Sequence, residues 1–136
     1  MIIFDSTFLI DMMKKQHNKN YRKSWLMLES LKEENEYYAT TFVNIFEMHK
    51  GICKSKEKES AVKSLDYILK VIPVLGFSDE YYSEFGKLSA YLEQKGTPIG
   101  TFDELIAAIA LYHGARVVTN NTKDFSRVPG LEIISH

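Results

Sequence analysis

Residues 105 to 119 constrain the fold more than any other stretch of the chain. Leu105, Ile106, Ala108, Ile109, Ala110 and Leu111 form an almost wholly apolar helical segment, Gly114 stops it, and Arg116-Val117-Val118-Thr119 follows as a short apolar strand. A helix and a strand that are apolar on all sides must each be covered on both faces. The pattern therefore calls for an α/β sandwich, with helices on the two faces of a mostly parallel sheet.

The same alternation runs along the whole chain. Met1-Ile2-Ile3-Phe4 reads as a buried first strand that delivers Asp5 at its carboxyl end, and Ser6-Thr7 opens a helix carrying Phe8, Leu9, Met12 and Met13. A second helix spans 20–34, with Trp25, Leu28 and Leu31 on one side. Tyr37-Tyr38-Ala39-Thr40 is a second strand, and Thr40 or Thr41 caps a helix holding Phe42, Ile45, Phe46 and Met48. An amphipathic stretch over 57–70 precedes a third strand over 71–75, which Pro73 assigns to a sheet edge. A helix over 79–94 with Ser78 as its cap, the loop Gly96-Thr97-Pro98-Ile99-Gly100 and a last strand over 131–134 complete the pattern.

Composition fits one domain spanning 1–136. The chain is 45% hydrophobic and 26% charged, and it is long enough to fold without a disulfide or structural metal. The single Cys53 excludes a disulfide framework and a cysteine-rich zinc site. No apolar run approaches the length of a membrane span, and the N-terminus lacks a basic leader and a cleavage site, so a cytoplasmic protein is expected. The net charge of −1 excludes bulk attraction to nucleic acid, yet the lysines are unevenly spread. Lys14, Lys15, Lys19, Arg22 and Lys23 form one acid-free basic run, and Lys50, Lys54, Lys56, Lys58 and Lys63 form a second. Each reads either as a solvated helix face or as a phosphate-steering rim.

In an open parallel sheet the ligand crevice lies beyond the carboxyl ends of the strands, where strand order reverses. Four acids fall on that rim: Asp5 after the first strand, Glu47 in the helix after the second, Asp103 opening the apolar helix, and Asp124 after the strand ending at Thr119. Crowded carboxylates repel unless a cation or a proton intervenes. Hard divalent ions such as Mg²⁺ take oxygen ligands and serve in-line phosphodiester hydrolysis. Each acid alone also has a plainer reading, since Asp5 and Asp103 suit helix N-termini and Asp124 suits a turn.

The stretch IFDSTFLID over 3–11 resembles the opening motif of PIN-domain nucleases. Residues 96–133, GTPIGTFDELIAAIALYHGARVVTNNTKDFSRVPGLEI, are similar to the VapC-type toxins of that family, and TFVNIFEMHKG over 41–51 resembles the segment between. The resemblance spans the chain in order and implies a PIN-like three-layer sandwich. It also implies an endoribonuclease dependent on Mg²⁺ or Mn²⁺, with Asp5, Glu47, Asp103 and Asp124 as metal-binding acids and Ser6 and Asn121 orienting a carboxylate, water or phosphate; Thr119 lies close by. Partners implied are an RNA substrate, a small antitoxin protein and a second copy in a homodimer. An antitoxin Arg among the four acids, with apolar side chains between the Ser6–Met13 helix and the helix of Trp25 and Leu28, would silence the site. The alternatives are a PIN nuclease of RNA processing without an antitoxin and a catalytically silent scaffold. Phe102, directly before Asp103, departs from the small or polar residue of many relatives and is expected to narrow the mouth of the site.

Other residues carry less chemistry. His49 makes no His-Glu-x-x-His pattern, the 96–100 loop lacks the Lys-Ser/Thr ending of a phosphate-cradling loop, and Cys53 has no paired base. His113 is expected to cap the carbonyls at its helix end, and Asp11, Asp66 and Asp79 read as surface or helix-cap acids.

Overall fold

A computed structural model describes residues 1–136. In chain order the elements are β1 (Ile2–Phe4), α1 (Ser6–Met12), α2 (Lys19–Glu33), β2 (Tyr38–Thr41), α3 (Phe42–Lys54), α4 (Lys58–Leu69), β3 (Val74–Leu75), α5 (Tyr81–Gln94), α6 (Thr101–His113), β4 (Arg116–Val118), α7 (Thr122–Phe125) and β5 (Ile133–Ile134). The five strands form one sheet in the order β3-β2-β1-β4-β5, every neighbouring pair parallel.

Alternation along the strands divides the core in two. Ile3 and Val117 point to one face, against Leu88 and Leu92 of α5 and Ile106 to Ala110 of α6. Ile2, Phe4 and Val118 point to the other, against Phe8, Leu9 and Met12 of α1, Leu28 and Leu31 of α2, and Leu65 and Ile68 of α4. Helix α3 serves both layers, giving Val43 to the first and Met48 and Ile52 to the second. The result is the expected three-layer sandwich. Strand order reverses between β1 and β4, which fixes the crevice at their carboxyl ends.

Most boundaries follow the sequence, with physical reasons where they shift. Pro73 sits beside an edge strand as expected, and its carbonyl accepts the Thr40 N–H at 2.9 Å. The strand itself is only Val74–Leu75, because Val71 and Ile72 extend the end of α4 by donating their N–H groups to the Ile68 carbonyl (3.0 and 2.9 Å). Helix α5 begins at Tyr81 rather than 79; the Ser78 hydroxyl instead accepts the Glu80 N–H at 3.4 Å in the preceding turn. Gly114, at φ 61°, ends α6, and the adjacent Ala115 N–H closes onto the Ala110 carbonyl at 2.8 Å. His113 does not cap those carbonyls: its Nε2 lies 2.7 Å from the Tyr81 hydroxyl. Helix α7, a single turn, is absent from the sequence reading.

Candidate active site

Asp5 ends β1, and its N–H donates to the Val118 carbonyl at 3.0 Å, locking it beside the end of β4. It occupies the N-cap position of α1, yet its side chain makes no capping hydrogen bond. The buried carboxylate is committed elsewhere. Its Oδ2 accepts from the Thr119 hydroxyl at 2.7 Å and from Thr7 at 3.4 Å, and its Oδ1 accepts from Asn44 Nδ2 at 3.1 Å.

Helix α3 starts with a capping box in which Thr41 accepts the Asn44 N–H and the Asn44 side chain accepts the Thr41 N–H. One turn further along α3 is Glu47, whose Oε1 accepts the Ser6 hydroxyl at 2.8 Å. Across the crevice, Asp103 lies in the first turn of α6 and Asn121 is the N-cap residue of α7. Asn121 makes no side-chain cap; its Nδ2 donates to Asp103 Oδ2 at 3.0 Å and Asp124 Oδ2 at 3.2 Å.

Asp5, Glu47 and Asp103 each present a carboxylate oxygen within 4.8 Å of the others. Asp124 stands outside that trio, joined to it through Asn121 and 3.8 Å from the Arg127 guanidinium. The electrostatic strain falls mainly on Asp103. Burial first, and then the charges of Asp5, Glu47 and Asp124, push its pKa up to about 7 against the opposing hydrogen bond from Asn121. Glu47 is also raised, by burial and by Asp5, with the Ser6 hydrogen bond and Lys50 opposing. An all-oxygen donor set with surplus negative charge fits a hard cation such as Mg²⁺ or Mn²⁺. Glu47 Oε2 and Asp103 Oδ1 accept no hydrogen bond within the chain, so both remain open to a ligand.

Several surrounding residues escape the sequence reading. Asn44 is wholly buried and donates to Asp5 and Ser6, where a Thr-x-x-Asn pattern at a helix start signals only a cap. Asp11 is not a surface acid but is 3% exposed, held by Lys14 Nζ (2.7 Å), His136 Nδ1 (3.2 Å) and Asn120 Nδ2 (3.3 Å). Burial lowers the His136 pKa, with Asp11 and Asp5 opposing. Lys14 is thereby withdrawn from the basic rim, whereas Lys15 meets Lys56 and Lys58 in one hollow, so the two basic runs converge. Leu28 belongs to the core at 1% exposure, whereas Met12, Met13, Tyr21 and Trp25 line a hollow between α1 and α2, so the expected groove is present without Leu28. The hollow that reaches Glu47 is lined by Ile10, Met13, Met48, Ile52 and Ala61, from α1, α3 and α4. Phe102 is 42% exposed at the start of α6. No helix is long and apolar enough to cross a membrane.

The PIN domain family model matches residues 2–131. Ribonuclease VapC2 of Rickettsia felis is 38% identical over 114 residues, covering 84% of this chain and 84% of that protein. The tRNA(fMet)-specific endonuclease VapC of Salmonella typhimurium is 33% identical over 91 residues, covering 67% of this chain and 69% of its own length. Among solved structures, VapBC2 from Rickettsia felis bound to a DNA fragment from their promoter superposes with a TM-score of 0.86 and 31% identity, covering 100% of this chain and 99% of that one. DNA-bound VapBC from Salmonella typhimurium gives a TM-score of 0.83 at 26% identity, covering 98% of this chain and 96% of that one.

Proposed function

This chain belongs to the PIN domain family, and we propose that it is the endoribonuclease toxin of a toxin–antitoxin pair, hydrolysing RNA phosphodiester bonds with Mg²⁺ or Mn²⁺. The observation that carries the metal dependence is the trio Asp5, Glu47 and Asp103, with ligand oxygens within 4.8 Å and one carboxyl driven to a pKa of about 7 in the absence of a counter-charge. These three residues would hold the ion, with Asp124 completing the acidic rim. When bound, a divalent ion supplies charge at the phosphodiester oxygens and acidifies water for in-line attack.

The remaining roles belong to the chain's own side chains. Ser6 donates to Glu47 and fixes which of its oxygens stays open. Asn121 holds Asp103 and Asp124 side by side, leaving Asp124 outside the ligand trio and placed to orient the attacking water. Lys15, Lys56 and Lys58 converge in one hollow, with Glu57 and Glu59 beside them, and offer an RNA backbone a net cationic contact.

Regulation in this reading uses the same pocket from outside. A small cytoplasmic antitoxin seats apolar side chains on Ile10, Met13, Met48 and Ile52, and an Arg forks onto the adjacent acids. The exposed rings of Phe46, Phe77 and Tyr82, linked through Phe42, form an aromatic face for a second copy in a homodimer. The test is RNA cleavage by the purified chain with Mn²⁺ and with EDTA. Cleavage that stops in EDTA and returns with Mn²⁺ is expected, and full activity in EDTA overturns the reading.

A further inference from the structure

We propose that Asn44 is a positioning residue that presets Asp5 and Glu47 for the cation; the inference rests on the metal-nuclease reading above. Asn44 is 0% exposed, and all of its side-chain hydrogen-bonding capacity is spoken for. Its amide oxygen accepts the Thr41 hydroxyl at 2.7 Å and the Thr41 N–H at 3.3 Å. With two donors on the oxygen, the amide has one orientation, and its NH₂ must face the crevice.

The two N–H groups are then spent on Asp5 Oδ1 at 3.1 Å and Ser6 Oγ at 3.0 Å. Because Ser6 Oγ accepts there, its single proton is committed to Glu47 Oε1 at 2.8 Å. The chain Thr41 to Asn44 to Ser6 to Glu47 thus runs in one direction only, with a branch to Asp5. The helix cap needs just the amide oxygen and the N–H of Asn44, so the NH₂ serves the acids and not the helix. Every donor in the chain favours the ionised carboxylates that a cation requires. It also selects which lone pairs remain free to meet that cation.

The cap and the site are separable by two substitutions. N44A removes the donors to Asp5 and Ser6 together with the amide oxygen of the capping box. T41V removes only the hydroxyl that serves the cap and one of the two locks on the amide oxygen, so T41V reads the cap alone. Mn²⁺ affinity of the full chain is read from the EPR signal of free Mn²⁺, alongside thermal melts and RNA cleavage across a Mn²⁺ series. N44A is expected to bind Mn²⁺ about 10–100-fold more weakly while still melting cooperatively, with cleavage recovering as Mn²⁺ is raised. T41V is expected to melt at a lower temperature yet bind Mn²⁺ within about threefold of the native chain, since outer contacts to the ligands are kept. S6A should weaken binding less in the N44A background than in the native one, because both act through Glu47.

Should N44A fail to melt cooperatively, N44T is read by the same criteria. Native-like Mn²⁺ affinity in the folded variant overturns the proposal, as does a loss in T41V equal to that in N44A, which would assign the effect to the helix start. A native chain that binds no Mn²⁺, or that cleaves RNA in EDTA, instead removes the metal reading itself and takes this inference with it.

Discussion

The two sides of the acidic crevice are built on different terms. On the β1–α3 side, Asp5 and Glu47 receive hydrogen bonds from Asn44, Thr119, Thr7 and Ser6, side chains set by a strand end and a capping box. On the α6–α7 side, Asp103 and Asp124 share the Nδ2 of one Asn121 on a single-turn helix. Burial first, and then the charges of Asp5, Glu47 and Asp124, drive the Asp103 pKa up to about 7, and its single Asn121 donor only opposes that shift. The β1–α3 side is held by several donors and the α6–α7 side by one, and the upward shift is largest at Asp103 while Glu47 is raised as well.

The largest effect that would sharpen this contrast comes from D103N. Loss of a ligand should lower RNA cleavage by more than the roughly 100-fold that loss of an outer contact costs. The fold should survive, and its pH response gives an independent check. Asp103 has a folded pKa above its unfolded value, so the folded state binds more protons between the two, and its stability falls as pH rises from about 4 to about 7. Metal-free D103N should therefore melt above the native chain at pH 8 and level with it near pH 4, measured by calorimetry. Equal melting temperatures at pH 8 would break the claim that this side stores the strain.

N121A comes next. It removes the one side-chain donor of the α6–α7 side and should push the Asp103 pKa higher still, with cleavage down about 10–100-fold. Following the Asp103 carboxyl by NMR titration reads the shift directly; an unchanged titration would mean that the donor count does not control this side. S6A should act more weakly on cleavage, since Asp5 retains its donors from Asn44 and Thr119 while Glu47 alone loses one.

The smallest effect concerns the rim. Lys14 is held by buried Asp11, so neutralising it should leave the salt dependence of RNA binding almost unchanged. Neutralising Lys15 or Lys56 should each reduce the slope of log affinity against log salt by about 0.7, if each meets one phosphate of a single strand. Binding at several salt concentrations by fluorescence anisotropy decides this, and equal slopes for all three variants would return the rim to a solvated face.

The layers and the site rim were legible because their signals are local. Ile2-Ile3-Phe4 alternates between two cores, Gly114 terminates an apolar helix, and Asp5 at a strand end, Glu47 in the helix after β2 and Asp103 at the start of the apolar helix all fall on one rim. What was hidden depends on contacts between distant segments. Asp11 looks like a surface acid until His136 and Asn120 close over it. Asn44 looks like a cap until Asp5 and Ser6 arrive beneath its NH₂. Val71 and Ile72 have strand-like side chains, but a backbone bond to Ile68 holds them in the preceding helix end.

The central claim is that Asp5, Glu47 and Asp103 share one cation, and Mn²⁺ titration of the native chain beside D5N, E47Q and D103N tests it most directly. The account predicts a Mn²⁺ site in the native chain that each single substitution weakens severely, with RNA cleavage lost in step. Variants that bind Mn²⁺ as the native chain does, or that cleave RNA undiminished in EDTA, would contradict it.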